Sequence, residues 1–211
     1  LLPTEYPFVS LLRDSSPYIV NHRDSTIVYH IPGELISDAA RINSVIDDIA
    51  LTWLFGMRIV ICVGCRNQVL TRLERKYGSS TNNGNDFGLS SKLGVRVTDT
   101  EKLRIIEEEA GFCRFEVERL LNRCLRHKGA DCNVVSGAFV TAKEFGIVDG
   151  VDYLNAGYPV TLQTDRIAKF HSRNDVVLLT PLGFTKEGDA INIHSEAMAA
   201  FTAGALKASK L

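Results

Sequence analysis

The chain has no surplus of charge of either sign. Its 24 Lys+Arg stand against 25 Asp+Glu, a formal net charge of −1 in 211 residues. Without a basic excess or a polybasic tract, no nucleic-acid or membrane-surface partner is expected. No apolar run is long enough to span a bilayer, so no membrane partner is expected either. The start, Leu1-Leu2-Pro3, lacks a Met and the charged flank and apolar core of a signal peptide. A chain trimmed at its front is expected. The end, Leu206 to Leu211, carries no helix stop signal, so a longer natural chain is expected too. Cysteine is scarce and odd in number: Cys62, Cys65, Cys113, Cys124 and Cys132. That argues for reduced thiols in a cytoplasm or a mitochondrial matrix. Cys62 and Cys65 form C-x-x-C, but no second ligand pair completes a zinc site, and no metal is expected. A redox C-x-x-C would open a helix, whereas Cys62 closes an apolar run. There is no internal repeat and no dividing linker, which leaves one domain large enough for a sizeable core.

What is present reads as alternating strands and helices. Phe8, Leu11, Leu12 and Ile19 predict a helix over Pro7 to Arg23, bent at Pro17. Thr26 to Ile31 reads as a strand ending in a tight Pro32-Gly33 loop. Ser37 or Asp38 caps the next helix, whose buried face is Ile42, Val45, Ile46, Ile49 and Trp53. Arg58 to Val63 is nearly continuous in apolar residues, as in a strand buried on both faces. A helix from about Asn67 to Tyr77 follows. Residues 79–91 are polar and rich in Gly and Asn, and read as a surface loop. Thr98 and Glu101 suggest a capping box for a long helix with its seam on Leu103, Ile106, Ala110, Cys113, Val117, Leu120 and Cys124. That seam suits packing on a sheet, or a dimer. Cys132–Ala142 and Val151–Leu162 alternate like antiparallel strands around an Asp149-Gly150 turn. Thr164 caps a short helix, Asp175 to Thr180 is a buried strand, Lys186 to Asp189 is a turn, and an Ala-rich helix runs from Ser195. Strand–helix alternation with glycine loops predicts an α/β fold on a mostly parallel sheet.

In such sheets ligands bind beyond the carboxyl ends of the strands, where helix N-termini point. Three loops qualify: Pro32-Gly33-Glu34, Gly64-Cys65-Arg66-Asn67 and Ser136-Gly137. Glycine lets an anion come close to backbone N–H groups, although a glycine after a strand also serves as a plain turn. Arg66 and Arg96 are candidate carboxylate clamps, or else solvated surface cations. His30 ends the first strand on the same side. Neutral imidazole is a poor replacement for the standing charge that a phosphoryl clamp uses. Glu196, at the start of the last helix, suits the helix dipole whatever else it does.

These segments resemble one family throughout the chain. Pro17-Tyr18 with His22-Arg23, Ile27-Val28, Gly33-Glu34, Gly64-Cys65-Arg66-Asn67-Gln68, Arg96-Val97-Thr98-Asp99, Asn133-Val134-Val135-Ser136-Gly137 and Val148-Asp149-Gly150-Val151-Asp152-Tyr153 are similar to the amino-acid-kinase domain of N-acetylglutamate synthases. That domain is a close relative of acetylglutamate kinase. The resemblance implies a three-layer αβα sandwich with a mostly parallel sheet and a β-hairpin, here its N-terminal, amino-acid-binding lobe. It implies a regulatory, oligomerising domain that binds acetylglutamate or arginine. Residues 1–24 would be an oligomerisation helix and residues 25–211 the kinase-like domain. The partners implied are a homo-oligomer, dimer or hexamer, and a C-terminal acetyltransferase domain in the parent protein. Gly64, Cys65, Arg66, Arg96 and Asn192 match the family's substrate-binding positions, and Gly33, Ser136 and Gly137 its phosphate loops.

The kinase signature itself is altered. A competent acetylglutamate kinase is similar in layout but has Lys-Tyr-Gly-Gly where this chain has His30-Ile31-Pro32-Gly33. Its Gly-Gly-Gly-Pro loop is Gly64-Cys65-Arg66-Asn67, and its Asn-Val-Asn-Ala-Asp is Asn192-Ile193-His194-Ser195-Glu196. Losing one charge-stabilising donor costs roughly two to three orders of magnitude in rate. The expectation is a kinase-like domain without kinase activity and without a cofactor of its own. An active acetylglutamate kinase, using ATP and Mg with His30 and Glu196 as its catalytic residues, is the alternative. A non-catalytic scaffold is a third reading.

Overall fold

The computed structural model describes residues 7–78 and 95–211. The first helix, α1 (Pro7–His22), runs unbroken through Pro17. Then come β1 (Thr26–Ile31), a one-turn helix α2 (Gly33–Ile36), α3 (Ala39–Leu54), β2 (Arg58–Val63) and α4 (Arg66–Tyr77). The long helix α5 (Thr100–His127) leads to β3 (Val134–Val135), β4 (Val140–Glu144) and a small hairpin, β5 (Ile147–Val148) with β6 (Val151–Asp152). β7 (Ala156–Leu162), α6 (Thr164–His171), β8 (Val176–Leu179), β9 (Leu182–Phe184), β10 (Ala190–Ile193) and α7 (Ser195–Leu206) complete the order.

The central sheet is parallel, in the order β1-β2-β8-β3. Period-two alternation divides its side chains between two layers. Ile27, Ile31, Ile59, Ile61, Val63 and Leu178 join α3, α4 and α5 in one core. Val28, Val60, Cys62, Val177 and Leu179 join the other, with Phe139, Ile167, Ile193 and Met198. The sheet is therefore buried on both faces, as its continuous apolar strands require. This is the αβα sandwich that the family resemblance implies. Beside it, β10, β7, β4 and β9 close a small ring of mixed parallel and antiparallel pairs. The residues before Leu211 extend the sheet at β1, where Val28 N–H donates to Lys210 O at 3.0 Å.

Several local readings are corrected. Pro32-Gly33 is not a plain loop, because Pro32 is the N-cap of α2. Of the two caps expected for α3, Asp38 is the one that forms, its carboxylate accepting from the N–H groups of Ala40 and Arg41 at 3.2 and 3.1 Å. The α5 cap is Asp99, accepting from Lys102 N–H at 2.8 Å. Thr98 does not cap it: its hydroxyl is wholly buried and donates to Arg96 O at 2.8 Å. The α5 seam also shifts, with Ile105, Leu121 and Leu125 buried where Leu103 and Cys124 are only partly covered. Cys132–Ala142 is not one strand. β3 pairs with β8 in the parallel sheet, and β4 pairs with β7 in the ring. The N-cap of α6 is Gln163, with Thr164 the first helical residue. The Asp149-Gly150 turn stands: φ is 51° and 80°, both left-handed, as a tight hairpin turn demands. The predicted loop over residues 79–91 lies outside the described residues.

Candidate functional site

Four strand ends deliver the site. Beyond β1, β2, β8 and β10 lie Gly33, Gly64, Pro181 and His194, and all four line one cavity of about 500 Å³. Glu34, Cys65, Arg66, Arg96, Asn192, Ser195 and Glu196 also line it. The carboxyl-end position follows from the parallel sheet, whose helices return their N-termini to this side. Gly64 N–H donates to Ile31 O at 2.8 Å, which ties the first two strand ends together. A Cβ on Gly64 would stand 2.9 Å from Ser195 Oγ. Glycine at this position lets the starts of α4 and α7 close on each other. Gly33 is similarly confined by the Gln68 side chain, whose Nε2 donates to Gly33 O at 2.7 Å.

α4 and α7 are each 12 residues long, and both begin at this cavity. Their N-caps, Cys65 and His194, make no side-chain cap hydrogen bond. The first-turn N–H groups of both helices thus lack their usual acceptor, and the positive ends of two dipoles meet at one place. Arg66 and Arg96 add guanidinium charge, Arg96 from a position only 7% exposed. Two uncapped helix starts and two arginines make a receptor for a carboxylate or another small anion.

Arg96 and Asn192 are held by a network centred on Thr98. Its hydroxyl donates to Arg96 O and accepts from Asn192 Nδ2 at 3.0 Å. Asn155 donates to Thr98 O from its backbone at 2.9 Å and from Nδ2 at 3.1 Å, and accepts from Asn192 N–H at 2.8 Å. Sequence reasoning gave Thr98 a capping role and gave Asn155 and Gln68 no role. An Asn or Gln contacting backbone across long sequence separation leaves no periodic signature.

His30 lies just behind the cavity wall. Its Nε2 is 3.0 Å from Ser195 Oγ. Partial burial lowers its pKa, outweighing the Glu196 carboxylate, which pulls the other way; the neighbouring His194 lowers it further. Glu196 is engaged by His194, Nδ1 to Oε2 at 2.6 Å. Ser136 and Gly137 follow β3 and are not in the cavity lining; Gly137 packs beside the Phe139 ring. Cys62 and Cys65 are buried, unbonded thiols. Burial pushes both pKa values up, that of Cys62 to about 12, so neither is a reactive thiolate. Among the described residues no group of three or more His, Cys, Asp or Glu could hold a metal ion. No described helix is long and apolar enough to cross a membrane.

Comparison with known proteins places the chain in a family. The profile of the Amino acid kinase family matches residues 25–211. An amino-acid acetyltransferase of Ralstonia nicotianae is 37% identical over 212 aligned residues, which cover 99% of this chain and 45% of that protein. One from Azotobacter vinelandii is 34% identical, covering 97% and 46%. N-acetylglutamate synthase of Neisseria gonorrhoeae, solved with coenzyme A and N-acetyl-glutamate, superposes with a TM-score of 0.80 at 30% identity. The same enzyme with coenzyme A and L-arginine gives 0.82 at 29%. Each superposition covers 98% of this chain, and 45% and 47% of the enzyme. This chain therefore spans about half the length of these relatives. Carbamate kinase from Giardia lamblia, at 11% identity and a TM-score of 0.57, shares the fold alone.

Proposed function

The chain belongs to the amino acid kinase family, and from that premise we propose that it is the regulatory, assembling domain of an N-acetylglutamate synthase in arginine biosynthesis. It binds an amino-acid carboxylate ligand of the acetylglutamate or arginine type and transfers no phosphate. Arg66, Arg96 and the open starts of α4 and α7 hold the ligand carboxylates, with Asn192 and Gly64 shaping the pocket. Acetyl transfer belongs to a further domain of the parent protein, in keeping with relatives about twice as long.

The observation that carries the loss of kinase activity is the state of His30. The family's lysine position holds an imidazole that burial keeps neutral near pH 7 and that Ser195 engages. The Glu196 carboxylate at the aspartate position is turned to His194. These residues do not fit ATP with Mg, because the transferring phosphate would meet no standing cation. The active-kinase alternative needs a protonated His30, the form that desolvation disfavours.

Assembly is assigned to α1. None of its residues is buried, and Phe8, Leu11 and Val20 are 71%, 66% and 71% exposed. Isolated apolar helix faces of this kind need a cover, and a second copy supplies it.

Titration calorimetry with N-acetylglutamate and with L-arginine should show saturable binding of at least one. ADP release from ATP, Mg and N-acetylglutamate should stay at background between pH 5.5 and 8. Turnover that disappears in His30→Ala, or no heat with either amino acid, would overturn the proposal.

A further inference from the structure

Ser195 and His30 form a pair that neither carboxylate binding nor the lost phosphoryl chemistry uses. Ser195 opens α7 and lines the cavity. His30 stands behind it on β1, its Nε2 3.0 Å from Ser195 Oγ. A serine hydroxyl within about 2.6–3.2 Å of an imidazole nitrogen has the reach of a nucleophile–base pair. The ring is also in the state that a base needs. Burial lowers its pKa, so it is neutral at pH 7 and, with its proton on Nδ1, takes the serine proton at Nε2. The ionisable groups acting on it are Glu196, which opposes the shift, and His194, which adds to it. Among the described residues His30 Nδ1 has no hydrogen-bond partner, so no third group orients the ring and slow turnover is expected.

Space and donors for a reacting carbonyl lie beside that hydroxyl. Gly64 keeps open a point that any other residue would fill: a Cβ there would stand 2.9 Å from Ser195 Oγ and 3.4 Å from Gly33 N. The Gly33 N–H, at the start of α2, has no backbone acceptor among the described residues. In α7 the first N–H to find one is that of Met198, which donates to His194 O at 2.9 Å; those of Ser195, Glu196 and Ala197 stay open. A carbonyl oxygen that gains charge at Gly64 is therefore close to N–H donors from two helix starts, the arrangement that stabilises a tetrahedral oxyanion. The same cavity holds Arg66 and Arg96, which suit a free carboxylate elsewhere on the acyl compound.

We propose that Ser195 and His30 hydrolyse monoesters of short dicarboxylic acids through an acyl group held transiently on Ser195. Ser195 Oγ attacks the ester carbonyl carbon while its proton passes to His30 Nε2. Collapse of the tetrahedral oxyanion breaks the bond to the alcohol oxygen, which leaves with the proton from His30. Water then adds to the acyl carbon and gives a proton to His30, which returns it to Ser195 Oγ as the acid departs. The sum is ester plus water to acid plus alcohol, with no change of oxidation state. Only the choice of substrate rests on the carboxylate-holding reading of the cavity above; the pair itself does not.

Two measurements on the 211-residue chain test it. A fluorophosphonate, which traps a base-activated serine, should label the protein once, with the adduct placed on Ser195 by peptide mass spectrometry. This needs no variant, so it holds even if a substituted chain misfolds. The mono-(4-nitrophenyl) ester of glutaric acid should release nitrophenolate in a burst followed by slow turnover. Ser195→Ala should remove both signals, and His30→Gln should lower kcat by about 10²–10⁴-fold with KM little changed. In the wild type kcat should rise with pH to a plateau, its midpoint below the ordinary histidine value of about 6.5, and that rise should vanish in His30→Gln. The 4-nitrophenyl ester of butyric acid, which lacks the free carboxylate, should react with a kcat/KM lower by about tenfold or more. Ser195-dependent cleavage of both esters at equal kcat/KM would overturn the dicarboxylate substrate and, with it, the anion-holding reading of Arg66 and Arg96. An unlabelled Ser195, or nitrophenolate release no faster than that of Ser195→Ala, would overturn the pair while leaving amino-acid binding, read by calorimetry, intact.

Discussion

Replacing Gly64 by Ala tests the cavity at its tightest point. The backbone tolerates the change, because Gly64 is not among the residues with positive φ. Space is the obstacle. The new methyl would stand 2.9 Å from Ser195 Oγ and 3.4 Å from Ser195 Cβ and Gly33 N. Relief requires the start of α7 to withdraw by several tenths of an ångström or Ser195 to change rotamer. Either movement stretches the 3.0 Å contact between Ser195 Oγ and His30 Nε2. Overpacking of this kind costs about 1–3 kcal/mol, a fall in Tm of roughly 2–12 °C for a domain of this size. The ligand consequence is separate, because the methyl would part the two helix starts whose N–H groups would share a carboxylate. A loss of about 1.4 kcal/mol is a tenfold rise in Kd, and at least that much is expected for N-acetylglutamate or arginine by calorimetry. Adding Ser195→Ala removes the nearest obstacle, so the double variant should recover much of the Tm of Gly64→Ala. The reasoning fails if Gly64→Ala binds the amino acid with unchanged Kd, or if Ser195→Ala deepens its loss of stability.

Two further perturbations follow from the same geometry. Burial is the first cause lowering the pKa of both His30 and His171, so folding favours their neutral forms. Their contribution is complete above the ordinary value of about 6.5 and is lost as pH falls through the lowered folded-state values. Tm should therefore be level from pH 7 to 8 and fall below 6.5. His171→Gln, which keeps a donor for Ile59 O (now 3.2 Å from His171 Nε2), should flatten part of that fall; an unaltered pH profile would exclude His171 as a source. Thr98→Val keeps shape but leaves Arg96 O without the threonine donor and Asn192 Nδ2 without its acceptor. The cost should be about 1–3 kcal/mol, with weaker amino-acid binding, and unchanged Tm and Kd would refute the network.

The parallel sheet was legible because its strands are short apolar runs closed by Pro32-Gly33 and Gly64, and because buried strands need no alternation. The ring of β4, β7, β9 and β10 was not legible as a ring. Cys132–Ala142 reads as one alternating segment, yet residues 136–139 carry the chain from the central sheet into the ring. Nothing in period-two patterning marks a change of sheet. The capping reading at Thr164 fails because Gln163, with no side-chain cap bond, precedes the helix; the one at Thr98 fails for a different reason. Ser, Thr and Asp beside one another each satisfy the local rule. Burial of Thr98 decided between it and Asp99, and burial is a tertiary property. Of the site, the Gly33 and Gly64 loops and both arginines follow from their places at strand ends, whereas Asn192 and the role of Glu196 follow only from the family resemblance; all of these line one cavity. Ser136 and Gly137 were chosen by the same logic, but β3 is the far strand of the sheet and its end does not reach the cavity lining.

The cavity separates two tasks that a kinase of this fold performs together. Holding a carboxylate needs donors that are already positive in the resting protein, and guanidinium groups and helix N-termini are so at any physiological pH. Moving a phosphoryl group needs a further cation in line with the transfer. At that position this chain places an imidazole, half removed from water and hydrogen-bonded to a serine. Protonating it means placing charge where desolvation opposes it, so lowering the pH restores the missing cation only as it withdraws stability from the fold. The two demands conflict within one side chain. The Thr98 network, by contrast, anchors Arg96 and Asn192 in the neutral-pH structure without using any titrating group. That contrast is the physical basis of the proposal that this architecture senses an amino acid and does not phosphorylate one.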